Sequence, residues 1–155
     1  MTTALIWEIE STNLDNTLEI AKHIGQRLRG GEVIELISDL GGGKTAFVKG
    51  LASGMGYRQV VRSPSFTVGN QYDCGDITLY HFDFYRLHEA GIMSAELAEI
   101  IGNSEAVVAI EWAELVVDVI PNDHLTVTIT TTGDNTRNLR FSYANKLNYL
   151  FPANA

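Results

Sequence analysis

The chain is poor in cysteine, in cations and in long apolar runs. Cys74 is its only cysteine among 155 residues, so an intramolecular disulfide framework and zinc ligation by several thiolates are both excluded. A single thiol suits a reducing compartment, and a cytoplasmic protein is expected. No apolar run reaches the ~20 residues needed to cross a bilayer. Residues 1–10 lack a basic region ahead of an apolar stretch, so neither a membrane span nor a secretory leader is expected. Lys and Arg total 11 against 19 Asp and Glu, a net charge of −8. Nucleic-acid affinity rests largely on cations that displace counterions from phosphates, so a chain this acidic is a poor nucleic-acid binder by itself. Any RNA it serves would be held by a partner. Repeats, low-complexity tracts and Pro/Ser-rich linkers are lacking too, which leaves residues 1–155 as one domain.

What is present is globular: 45% hydrophobic and 19% charged residues. The patterning predicts a strand over 4–9. A helix follows, with Leu14, Leu18, Ala21, Ile24 and Leu28 at helical spacing, a cap at Ser11 or Asn13 and a stop at Gly30-Gly31. Residues 32–37 are a compact apolar run, the mark of a buried strand, and a helix over 44–55 follows a glycine-rich turn. Strands over 66–72 and 77–85 are joined by a turn at 73–76. A helix covers 94–101, an apolar strand 106–110, and a hairpin around Gly133-Asp134 joins 124–131 to 137–143. Helices alternating with compact strands, plus hairpins, predict an α/β domain with a mixed sheet.

The informative segment is Ser38-Asp39-Leu40-Gly41-Gly42-Gly43-Lys44-Thr45, set between a buried strand and a helix. This is the context of a phosphate-binding P-loop, and it makes the predicted fold a three-layer P-loop NTPase-like domain with a mixed, mostly parallel sheet. Glycines let backbone N–H groups converge on phosphate oxygens without Cβ interference, and a helix N-terminus adds unpaired donors and a positive dipole end. Gly41, Gly42, Gly43, Lys44 and Thr45 are thus the expected nucleotide-binding residues. Lys44 would neutralise the β- and γ-phosphates of ATP, and the Thr45 hydroxyl would ligate Mg²⁺. The bland alternative is a plain glycine-rich turn. The motif usually opens on glycine, and here that place is Ser38, whose Cβ is expected to restrict the turn and perturb affinity before function.

Hydrolysis also needs a carboxylate near Mg²⁺ and a group that places water. Two strand ends offer one each. Alternation puts Ile77, Leu79, His81 and Asp83 on one face of their strand and Tyr80, Phe82 and Phe84 on the other. Glu111 emerges from four apolar residues, 107–110. Ligands of open α/β sheets gather at the carboxyl ends of strands, so both acids can reach one crevice. The bland readings are an Asp83–Arg86 pair and a solvated Glu111. Tyr80, Phe82 and Phe84 are expected in the core, His81 as a hydrogen-bonded structural residue, and Cys74 as incidental. Trp112 is left open between core and a lid on the site.

Together these residues resemble the TsaE family, bacterial ATPases required for the threonylcarbamoyladenosine modification of tRNA. The loop carries the resemblance, with Ser63-Pro64-Ser65-Phe66-Thr67, His81-Phe82-Asp83-Phe84-Tyr85-Arg86-Leu87 and Glu111-Trp112-Ala113-Glu114, in order and spacing over about residues 10 to 140. Ser38, Ser65 and Ala113 replace the family's Gly, Thr and Pro. The resemblance implies that Leu40 to Thr45 bind the ATP phosphates, that Lys44, Asp83 and Glu111 are catalytic, that Thr45 and Glu111 hold Mg²⁺, and that Arg137 contacts the nucleotide. It also implies that Thr67 belongs to a switch-like segment. The implied partners are TsaB and TsaD, with tRNA engaged only indirectly. Three rivals stand beside it. A GTPase is rejected because Asn145-Lys146-Leu147-Asn148 lacks the Asp of a guanine motif. A small-molecule kinase is disfavoured by its scattered arginines. A non-catalytic nucleotide-gated adaptor stays open.

Overall fold

The computed structural model describes residues 4–39, 43–59, 61, 69–85 and 91–153. The predicted site residues Leu40, Gly41 and Gly42, the segment 63–67 with Thr67, and Arg86 lie outside the described residues.

Seven strands form one sheet: β1 (Leu5–Ser11), β2 (Val33–Ser38), β3 (Gly69–Asp73), β4 (Thr78–Asp83), β5 (Ala106–Glu111), β6 (Leu125–Thr131) and β7 (Arg137–Tyr143), in the order β1-β7-β6-β2-β5-β4-β3. β6, β2, β5 and β4 pair in parallel. The β6–β7, β7–β1 and β3–β4 pairings are antiparallel. β1 therefore runs the same way as the central four, and the sheet is mixed with one prevailing direction.

The helices are α1 (Leu14–Gly25), α2 (Lys44–Gly54) and α3 (Gly91–Ile101), with 3₁₀ segments at Ala113–Val119 and Asn145–Leu150. Each face of the sheet carries its own core. On one face Ile34, Leu36, Leu79, Val107, Ala109 and Phe141 pack against Ile20 and Ile24 of α1 and Phe47 and Leu51 of α2. On the other, Val33, Phe82, Phe84, Val108 and Ile110 pack against Leu97 of α3 and Val116. Successive residues of β2 and β5 alternate between the two clusters because side chains on a strand alternate sides. All six residues of β5 are buried, as a strand covered on both faces requires. The three-layer arrangement and the core placement of Phe82 and Phe84 match the sequence reading.

Asn13, not Ser11, caps α1: its side chain accepts from the Asn16 amide at 2.8 Å. Ser11 closes β1 and its hydroxyl donates to the Asn13 carbonyl. α1 ends at Gly25, short of the predicted stop at Gly30-Gly31. The cause is the buried Glu32, whose carboxylate accepts from the Arg29 and Gly30 amides at 2.8 and 2.7 Å and from the Tyr149 hydroxyl at 2.5 Å. A charge-assisted turn replaces the last helical turn. α1 and α2 touch closely at Gly50, where a Cβ would lie 2.6 Å from the Leu18 carbonyl oxygen. That contact packs α2 closely against α1.

Candidate active site at the carboxyl edge of the central strands

β2, β4 and β5 end together. Ser38 closes β2, and the β4–β5 register sets Asp83 opposite Glu111. Gly43 precedes α2 with φ of 110°, a left-handed conformation that a side chain would strain. Its carbonyl accepts the Phe47 amide at 3.0 Å, so the helix starts here. Lys44 and Thr45 are its first two residues, and both sit at the positive end of the helix dipole.

Lys44 is only 8% exposed, unusual for a lysine. Its Nζ donates to the Ser38 carbonyl at 3.2 Å and lies 3.6 Å from Glu111 Oε1. Glu111 is buried as well, and its Oε2 lies 2.6 Å from His81 Nε2. The structure thus brings together Lys44, Glu111 and Asp83, three residues that the sequence proposed from separate segments. Asp83 Oδ1 accepts the Tyr85 amide at 3.1 Å. Partial burial pushes the Asp83 carboxyl above its ordinary range; the Tyr85 amide opposes this, and the Glu111 charge adds to it.

Trp112 is resolved as neither core residue nor isolated surface residue. It is 38% exposed, takes the left-handed conformation (φ 57°, ψ 57°), and stacks at a tilt on Tyr85 with ring centroids 5.1 Å apart. Its ring centroid lies 5.5 Å from Lys44 Nζ, within reach of a cation–π contact. A non-glycine residue held at positive φ beside buried charges marks strain stored at a site. A cavity of about 140 Å³ opens here, lined among others by Ser38, Lys44, Trp112 and Glu114.

Ser38 itself is unstrained. Trp112 is the only side-chain-bearing residue at positive φ among the described residues, so the expected restriction by the Ser38 Cβ has no backbone basis. Arg137 opens β7, opposite Thr131 of β6, at the same edge of the sheet. Its Nη1 donates to the Gly133 and Thr136 carbonyls at 3.2 and 2.8 Å, which ties it into its own hairpin. Cys74 sits in the β3–β4 turn, where burial pushes its thiol up, away from thiolate reactivity.

The partnership of His81 with Glu111 and the acceptance of Lys44 by a strand-end carbonyl are absent from the sequence reading. Alternation along β4 puts His81 on the Asp83 face, but a cross-strand contact requires the β4–β5 register. The donor set is chemically hard: a hydroxyl at Thr45 and carboxylates at Glu111 and Asp83, beside one buried cation. Hard oxygen donors of this kind are what Mg²⁺ takes, with one or two carboxylates and an octahedron filled by phosphate oxygens and water.

Comparison with known proteins gives the family. The sequence model of the family described as threonylcarbamoyl adenosine biosynthesis protein TsaE matches residues 11–139. The tRNA threonylcarbamoyladenosine biosynthesis protein TsaE of Bacillus subtilis is 35% identical over 133 residues, 85% of this chain and 82% of that protein. Its Treponema pallidum counterpart is 34% identical over 83% of this chain and 95% of its own length. The crystal structure of Bacillus subtilis YdiB superposes with a TM-score of 0.78 at 31% identity, covering 97% of this chain and 94% of that one. With matches of this extent, and with the lysine, the two carboxylates and the strand-to-helix turn converging on one edge of the sheet, the chain belongs to the TsaE family of threonylcarbamoyl adenosine biosynthesis proteins.

Proposed function

We propose that the protein binds ATP with Mg²⁺ at the carboxyl edge of β2, β4 and β5 and hydrolyses it in support of tRNA threonylcarbamoyladenosine formation, with TsaB and TsaD as protein partners. The observation that carries this reading is the buried Lys44 held between the Ser38 carbonyl and Glu111 at the start of α2. A buried ammonium at a helix N-terminus, next to a carboxylate, is an arrangement that favours a polyphosphate with a divalent cation over a neutral ligand.

Bound Mg²⁺ would supply neutralisation of the phosphate oxygens. Thr45 and Glu111 are the residues proposed to hold it, through a hydroxyl and a carboxylate. Lys44 is proposed to leave Glu111 for the phosphates, so that ion-pair partners exchange and no charge is stranded. Asp83, at the edge of the same crevice, is proposed to accept a hydrogen bond from the attacking water and orient it. Its elevated pKa leaves it a better base than an ordinary exposed carboxylate. Leu40 to Gly43 complete the phosphate loop, and Arg137 lies on the edge from which a nucleotide can be contacted. The acidic surface, net −8, supports assigning tRNA contact to the partners.

The test is phosphate release from ATP by the isolated chain and by the chain mixed with TsaB and TsaD. Slow release alone and faster release in the mixture is expected. Release in neither would leave a nucleotide-gated adaptor, and transfer to a small acceptor would make it a kinase. In a gel shift at near-physiological salt the isolated chain should leave tRNA unshifted at micromolar protein. A shift would overturn the division of labour.

A further inference from the structure

We propose that His81 is a positioning residue for Glu111: its Nε2–H holds one carboxylate oxygen so that the other is presented to the site. The inference rests on the nucleotide reading above and adds to it a residue that reading leaves without a role. His81 is fully buried on β4. Its Nε2 lies 2.6 Å from Glu111 Oε2, while Glu111 Oε1 is the oxygen 3.6 Å from Lys44 Nζ. A carboxylate accepts only, so Nε2 carries the hydrogen. Nδ1 is buried and has no hydrogen-bond partner among the described residues. A hydrogen there would be an orphaned buried donor, and the ring is therefore held as the Nε2–H tautomer.

The sheet makes the contact possible. His81 lies opposite Ala109 and Asp83 opposite Glu111, so His81 and Glu111 are diagonal neighbours on one face. The small side chain of Ala109 leaves room for the imidazole to lean toward Glu111. The bond satisfies the buried Nε2–H, and it does so on an acid of the site. Here that bond breaks the equivalence of the two Glu111 oxygens and fixes which one faces Lys44. Partners of this kind, one step removed from a metal, typically set its affinity by 10- to 100-fold.

The decisive measurement is calorimetric titration of ATP into wild type, His81→Asn and His81→Gln, each with Mg²⁺ and with EDTA. The Gln amide reaches about as far as Nε2, whereas the Asn amide stops short. His81→Asn should lose about tenfold or more of the affinity gained with Mg²⁺, with the EDTA affinity unchanged. His81→Gln should recover most of that gain. Nitrogen NMR of the nucleotide-free wild type reads the tautomer independently of any variant's folding. It should find His81 protonated at Nε2 and bare at Nδ1. The opposite tautomer, an Asn variant with the full Mg²⁺ gain, or equal losses in both variants would overturn the proposal. A wild type with no Mg²⁺-dependent binding would instead defeat the nucleotide reading, and the NMR result would still decide the His81–Glu111 pair.

Discussion

Lys44→Ala bears on both the chemistry and the stability of the site, and the two effects can be read apart. On the chemical side the substitution removes the cation placed to meet charge developing on the phosphates. Losing one positioned electrostatic donor costs about 2.7–4 kcal/mol of transition-state stabilisation, which at about 1.36 kcal/mol per decade is roughly a hundred- to a thousandfold in rate. On the structural side Lys44 Nζ has the Ser38 carbonyl at 3.2 Å and Glu111 Oε1 at 3.6 Å. Its removal leaves buried Glu111 with His81 as a remaining partner. Stripping a buried ion pair of one member costs about 3–5 kcal/mol when nothing else contacts the other. The His81 bond persists, so about 1.5–3 kcal/mol is expected, the range for losing a hydrogen bond to a charged group. Phosphate release measures the first effect and urea denaturation the second. Adding Glu111→Gln removes the stranded charge, so the double variant should be destabilised by less than the sum of the two single variants, by a coupling of about 0.5–3 kcal/mol. A folded Lys44→Ala protein with turnover within about threefold of wild type would refute the reasoning at its base.

Glu111→Gln should weaken nucleotide binding in Mg²⁺ more than in EDTA, since a metal-facing carboxylate loses its charge, as calorimetry with and without the metal will tell. Asp83→Asn should slow turnover while raising thermal stability slightly, because burial already holds its carboxyl above the ordinary range and the amide removes that cost. His124 tests pH linkage: its Nε2 lies 2.9 Å from Glu35 and its Nδ1 2.6 Å from the Pro121 carbonyl. The Glu35 bond raises its pKa above the ordinary 6.5. A raised folded-state value stabilises fully below pH 6.5 and less as pH climbs through that value. Urea midpoints should therefore fall over the window above pH 6.5 in wild type and fall less in His124→Gln. Ser38→Gly should leave nucleotide affinity within about twofold and cost stability of about 0.5–1 kcal/mol, since no positive φ is relieved and backbone entropy is lost. Clearly tighter binding by that variant would restore the strained-loop expectation.

Periodicity and composition alone determined much of this protein. The alternation in β4 and the unbroken apolar run of β5 set which side chains face which core, because side-chain direction follows backbone geometry locally. The glycines and lysine ahead of α2 marked the site for the same reason, since loop and helix start are adjacent in sequence. Glu111 and Asp83 were legible as acids ending strands. The boundary of α1 was not, because a carboxylate at Glu32 captures amides that helical spacing counts as part of the helix. Nor was the order of the strands: β2 lies between β5 and β6, which follow it at long range, and no local pattern encodes which strands pair. Strand pairing puts His81 against Glu111, and the packing of α2 on the sheet brings Lys44 against Glu111 and under Trp112. Contacts between residues 30 and 67 positions apart depend on packing free energy summed over the whole core. Tertiary structure therefore decided the partners of each charged group, where sequence had decided only which groups were charged.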